Sequence, residues 1–440
     1  MGMTLTEKIL ARAGNKKEVK PGDFIWAKVD ILMTHDPCAP GVIGIFHKEM
    51  GKKAKVWDRE KIVVTPDHFI YTTDLKANQN IDLIRKFCKE QKIKYFYNPG
   101  SENYKGVCHI TLAQEGHIKP GKVIIGTDSH TVTAGAFGAF ATGVGNTDAA
   151  FVMATGKILL KVPESILVKI DGKMPDYLTA KDIILKILSD IKFDGATYMA
   201  MEFEGKTIEE MDVEERMTIC NMVVEAGAKN GIMKPNQKVI EYLKKIHPNE
   251  EFEIISPDKD AFYSKKLEYN VKEIEPMVAK PHTPDNGVLA KELKNQKITM
   301  GYVGSCTGGK LSDFIRVANI LKGKKVKVNL FAVPATRKVI DGIIRTKIGT
   351  KSIYEILVDA GVKLSLEPTC GACCGGPKDT FGRTKDGDIC ISTTNRNFKG
   401  RMGSKNALIF LASPQTVAAS CLTGKITDPR EILGFNHSSF

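Results

Sequence analysis

Hydrophobic positions along the chain fall into short apolar runs that stop abruptly at glycine, proline or polar clusters. "KIVV" gives way to Thr65-Pro66-Asp67-His68, "KVIIG" to Thr127-Asp128-Ser129-His130, and "KITMGYVG" to Ser305-Cys306-Thr307-Gly308-Gly309. Runs of this length, rich in β-branched residues and bounded by turn formers, predict strands. "LSDFIRVANILKG" spaces its apolar residues for one helical face and predicts a helix closed by Gly323. In the last quarter "VKLSLEP" delivers Thr369 and Cys370, and "DICIST" delivers Thr394, Asn395 and Arg396. Strands alternating with helices predict an α/β protein. In open α/β sheets ligands bind outside the carboxyl ends of strands, so residues placed there again and again predict one composite site.

At 440 residues the chain exceeds one ordinary domain. The proline-rich polar stretch "EPMVAKPHTPDNG", Glu275 to Gly287, reads as a linker. Residues 1–285 then hold two subdomains with no visible mutual boundary, and residues 286–440 a third unit. No tandem repeat or low-complexity tract interrupts them. No apolar run approaches the roughly 18 residues of a membrane span, so no membrane is expected. The first residues lack the apolar core of a secretory signal and are expected to stay in place. "MGMTLT" fits a loose myristoylation pattern, but no second anchor follows and lipidation is not expected.

The net charge of +13 adds little, because basic and acidic residues are interspersed, as in "KKAKVWDREK". A solvated surface favouring small acidic molecules accounts for it, and without interleaved aromatics nucleic acid is not an expected partner. Ten cysteines in so long a chain are too few for a disulfide scaffold, so a reducing, cytoplasmic setting with free or metal-bound thiols is expected.

Three of those thiols crowd into "EPTCGACCGGP". A structural zinc site would use Cys306, Cys370, Cys373 and Cys374, but Cys306 stands alone where a second C-x-x-C knuckle is normal. A redox pair of Cys370 and Cys373 would sit unusually late in the chain. An iron–sulfur cluster suits a glycine-rich loop whose backbone approaches sulfide closely. With three ligands, Cys306, Cys370 and Cys373, a cubane would keep one iron open as a Lewis acid.

Together "YVGSCTGGK", "EPTCGACCGGPKDT", "STTNRNFKGRMG", "GTDSHTVTAGAFGAFATGVGNTD", "TPDHF", "GVCHITLAQEG" and "MTICNMVVEAGA" resemble the aconitase superfamily, more narrowly its isopropylmalate-isomerase branch. The ordered motifs cover nearly the whole chain. The resemblance implies an aconitase-like core of three α/β/α domains around a [4Fe–4S] cluster, without the fourth, swivelling domain. It implies a hydro-lyase that removes water from a hydroxy-dicarboxylate and returns it on the neighbouring carbon, as in leucine biosynthesis. Homoaconitase, a methylmalate hydro-lyase and an RNA-binding iron sensor are the alternatives. Because only a few residues follow "LTGKITDPREIL", a separate small subunit is expected to bring a serine base and much of the specificity.

By the same resemblance Cys306, Cys370 and Cys373 hold the cluster, and Cys374 is a buried bystander. Asp67, His68, His109, Asp128, His130 and Glu225 are the expected catalytic groups. Ser129, Asn221, Asn395, Arg396 and Arg401 are the expected substrate-binding groups. Asn221 and Glu225, four apart in an apolar segment, would share one helix face. The family's "SCTN" reads Ser305-Cys306-Thr307-Gly308 here, which puts one side-chain contact near the cluster in doubt. His35 lies near the family's substrate loop and stays outside the set. His47, His117, His247, His282 and His437 are expected to be structural or on the surface.

Overall fold

The computed structural model describes residues 2–434, so His437 lies outside the described residues. Three sheets organise the chain. The first is wholly parallel, in the order Tyr95–Phe96, Ile62–Val64, Ile31–Thr34, Val123–Gly126, Phe140–Gly143. Ile62–Val64 and Val123–Gly126 are buried at every position, as parallel strands covered on both faces must be. The second sheet is also parallel, in the order Asn230–Met233, Ala200–Glu204, Ser165–Asp171, Lys265–Asn270.

The third sheet has seven strands: Gly287–Leu289, Met277–Ala279, Leu408–Ala412, Ile389–Ser392, Met300–Val303, Asn329–Ala332 and Lys363–Leu364. Its last five run parallel, and the first two form an antiparallel hairpin against Leu408–Ala412. The stretch 275–287 read as a linker is therefore an integral sheet edge. Its prolines, Pro276, Pro281 and Pro284, lie outside the short strand 277–279, which pairs on both sides, so none of them has to donate to the ladder.

The helix predicted before Gly323 spans Leu311–Leu321, and Gly323 takes the left-handed φ of 74° that ends it. Asn221 and Glu225 do not lie on one α-helix. The helix Val213–Met222 tightens into a 3₁₀ turn, Val223–Ala226, closed by Gly227 at φ 80°, so the two side chains diverge. Among the described residues no helix is long and apolar enough to cross a membrane.

Candidate active site and thiol pocket

The first sheet delivers its polar groups from three neighbouring strand ends. Asp36, just past Ile31–Thr34, accepts the backbone N–H groups of Asp67 at 2.7 Å, His68 at 2.9 Å and Phe69 at 2.6 Å. This buried carboxylate shapes the turn after Ile62–Val64. His68 Nδ1 then donates to Asp67 Oδ1 at 2.7 Å, while Asp67 Oδ2 accepts the Cys108 N–H at 2.8 Å. Burial opposes charge on His68, but the field and hydrogen bond of Asp67 prevail and hold the imidazolium well above the ordinary histidine range. His35 stacks on His68 at 4.8 Å between ring centres. Burial and the neighbouring His68 push its pKa down. Neither ring nitrogen of His35 has a hydrogen-bond partner.

Asp128, after Val123–Gly126, anchors a second set. Its Oδ1 accepts from His109 Nε2 at 3.0 Å, the His130 N–H at 2.7 Å and His130 Nδ1 at 3.2 Å. Burial favours the neutral acid, yet the bonds from His109 and His130 hold Asp128 well below the usual carboxylate range. Ser129, half-buried, lies 3.5 Å from His130 Nδ1. Glu225 reaches in from the second sheet's 3₁₀ turn: its Oε1 is 2.9 Å from His130 Nε2 and accepts Arg396 Nε at 2.9 Å. Burial and Arg396 disfavour a charged His130, but Asp128 and Glu225 outweigh them and raise it to about 9.

The third sheet supplies sulfur. Met300–Val303 ends in Gly304 and then Ser305, a buried residue at φ 70°, a left-handed conformation that costs a side-chain-bearing residue roughly 1–2 kcal/mol. The strained turn aims Cys306 inward. Asn221 Nδ2 donates to Cys306 Sγ at 3.1 Å and Asn395 Nδ2 at 3.3 Å, and the two amides join at 3.1 Å. Cys373 Sγ lies 3.2 Å from Asn395 Oδ1. A hydrogen bond from Cys370 lowers both its neighbours against burial: Cys306 falls well below the usual thiol range, and Cys373, with Arg401 also nearby, to about 6. The Cys370 segment is sewn to the first sheet, because Cys370 N and Thr369 Oγ1 donate to Asp67 O at 2.7 and 2.8 Å.

Three buried thiols meeting amide donors fit a thiolate-held metal group. Orphaned buried polar atoms strengthen that fit: Tyr302 OH, His109 Nδ1 and Arg401 Nε have no partner. Since buried polar groups are nearly always satisfied, these mark room for a polar occupant. Cys374, expected to be buried, is half-buried. The missing asparagine at Gly308 has a steric reason, since a Cβ there would meet Thr393 Oγ1 at 2.1 Å.

All fourteen candidate residues therefore face one another through short links from three sheets, save that Arg401 contributes an unpartnered nitrogen rather than a bond. Of the histidines set aside, His117 and His247 do have structural partners, Tyr97 OH at 2.7 Å and Gly116 O at 3.0 Å. Sequence reasoning missed Asp36. Its only signal is adjacency to His35, and its partners are backbone amides that no residue type betrays.

Comparison with known proteins points one way. The family profile described as "Aconitase family (aconitate hydratase)" matches residues 7–296 and 288–424. The "3-isopropylmalate dehydratase large subunit, chloroplastic" of Arabidopsis thaliana is 54% identical over 98% of this chain and 87% of its own. The "3-isopropylmalate dehydratase large subunit 1" of Methanopyrus kandleri is 43% identical over 98% of this chain and 100% of its own. Aconitase X of Thermococcus kodakaraensis shares the fold, with a TM-score of 0.51 over 91% of this chain and 92% of its own at 13% identity.

Proposed function

The chain belongs to the aconitase family, and from that premise we propose that it is the large, catalytic subunit of a 3-isopropylmalate dehydratase. It interconverts 2- and 3-isopropylmalate through 2-isopropylmaleate, as leucine biosynthesis requires. The observation that carries this reading is the meeting of two buried His–carboxylate sets with a buried thiol triad. The names of the relatives supply the substrate. We divide the chain into three α/β units, one per sheet, with the third beginning near Met277 rather than at residue 286.

Cys306, Cys370 and Cys373 would hold a [4Fe–4S] cluster, which supplies a Lewis-acidic iron to polarise the departing hydroxyl. His68, kept protonated by Asp67, donates its proton to that hydroxyl and takes one back from water on return. Asp67 stays ionised and fixes the ring. Arg401, whose buried Nε is unpartnered, binds a substrate carboxylate, and Arg396 is oriented for the same task by Glu225. Ser129, Asn221 and Asn395 complete the polar lining. The designation "large subunit" borne by the relatives supports a smaller partner, to which we assign the serine base and specificity loop of a swivelling domain. Ten free thiols support a reducing, cytoplasmic-type compartment.

The test is anaerobic reconstitution followed by iron and acid-labile sulfide analysis, then hydration of 2-isopropylmaleate by the chain with and without a small subunit. Iron and sulfide near four each per chain are expected for one cubane, with turnover only on mixing. Stoichiometric zinc without sulfide would overturn the metal assignment. Full turnover by the chain alone would overturn the divided site.

A further inference from the structure

Two lysines are buried beneath the backbone that carries the thiols. Lys181 is 2% exposed and Lys310 1%. Lys310 Nζ donates to Thr307 O at 2.6 Å, next to Cys306, and has its own carboxylate, Asp313, at 2.8 Å. Lys181 Nζ donates to Thr393 O at 3.0 Å and Thr394 O at 2.7 Å. Thr393 O is shared with the Thr307 hydroxyl, and Thr394 precedes the asparagine that bonds Cys306.

Lys181 has carbonyls for partners and no carboxylate. The adjacent Asp182 faces elsewhere, accepting from Thr179 and from the Met277 N–H. An ammonium in a dry interior is costly unless an anion stands near. Burial and Lys310 push Lys181 down to about 7, while Cys373, Cys306 and Asp313 pull it back. Carbonyls alone do satisfy one other buried cation: Arg216, 0% exposed, donates to Ala136 O, Ile208 O and Lys234 O. Arg216 lies outside the thiol pocket, so it serves as the control for a purely structural role.

We propose that Lys181 is a positioning residue supplying the buried counter-charge of the thiolate set once that set holds its iron–sulfur cluster. Three thiolates carry more negative charge than the positive core they bind, and burying that surplus requires a cation that water cannot provide. Arg401 and His130 also act on Cys373; Lys181, held on the two carbonyls beside Asn395, adds a cation from beneath the backbone that carries the thiols. The inference rests on the cluster reading above.

Lys181→Gln keeps N–H donors for Thr393 and Thr394 and removes the charge, whereas Lys181→Arg keeps the charge. Both are reconstituted without oxygen, and three quantities are read: midpoint reduction potential by EPR titration, rate of absorbance loss in air, and melting temperature of the metal-free protein. K181Q should reduce at a more negative potential and lose its chromophore about tenfold faster. Its metal-free melting temperature should match or exceed the parent's, since a charge no longer has to be buried. K181R should keep the parental potential. Arg216→Gln should lower metal-free and loaded stability alike and leave the potential unchanged. If K181Q keeps the parental potential and loss rate, or behaves as R216Q does, Lys181 is a backbone clamp and the proposal falls. Should K181Q fail to fold, a potential displaced in K181R despite its retained charge overturns it. Failure of the cluster reading is seen separately, as a parent protein that takes up no iron and sulfide.

Discussion

The first and third sheets share one winding. In each, the parallel strands run third, second, first, fourth, fifth by chain order, so the first and fourth lie side by side. In the first sheet that neighbouring pair delivers His35 and Asp128, and in the third it delivers Cys306 and Asn395. Topology thus fixes where side chains converge, and residue type alone decides what they do there. The first sheet satisfies its carboxylates largely from its own edge, with Asp36 on backbone amides and Asp67 on His68. The third is incomplete by itself: Cys306 takes an amide from Asn221, and Cys370 is tied to Asp67. One sheet gathers imidazoles and carboxylates and the other sulfur, and the two sets meet at their junction.

Removing a thiolate should have the largest effect. Cys373→Ala is expected to abolish iron and sulfide uptake and all turnover, whereas Cys374→Leu, changing a half-buried neighbour, should retain both. The reverse result would move the third ligand by one residue. Next comes the proton side: His68→Gln should lower kcat by about 10²–10⁴ while iron and sulfide stay at parental levels. Equal loss of metal in that variant would show that the two sheets do not divide the labour.

Glu225→Gln tests the link between them, because one carboxylate serves both His130 and Arg396. A loss of roughly 10–100-fold in kcat/KM is expected. His130 should also titrate below its present value of about 9, since a partner that raises it has gone. That value carries a stability consequence. His130 is raised from 6.5 to about 9, so its contribution is complete below pH about 6.5 and disappears as pH rises through 9. Thermal melts of metal-free protein should fall across that window, and His130→Asn should flatten the slope. The smallest effect belongs to Gly308→Ala, whose Cβ would meet Thr393. It should destabilise by about 1–3 kcal/mol, and Thr393→Ala in the same chain should recover part of it in denaturant titrations.

The strand ends were legible because apolar runs stop at turn formers, and "TPDH", "TDSH" and "SCTGG" announce themselves at those stops. Legibility failed where the determining partner is distant. The proline-rich stretch at 275–287 looks like a linker until Leu408–Ala412 is beside it. Asn221 and Glu225 look like one helix face because a 3₁₀ tightening leaves no residue signature ahead of Gly227. Lys181, inside the amphipathic helix Ala180–Ile191, reads as a solvated face, since charged residues on helices are rarely enclosed. Only tertiary packing places it under Thr393 and Thr394.

The seam from Thr369 and Cys370 to the Asp67 carbonyl joins positions that stand 302 residues apart in the case of Thr369. A chain growing at about 5–20 residues per second, with its earlier domains folding first, would complete the acid-bearing turn many seconds before its sulfur partner emerges. That turn is therefore a template waiting on the ribosome, and the late cysteines dock onto a surface already set by Asp36. Completion of the thiol pocket then becomes a final step of biogenesis, timed by translation, and truncated or stalled chains would carry the early histidine–carboxylate turn without its sulfur partners.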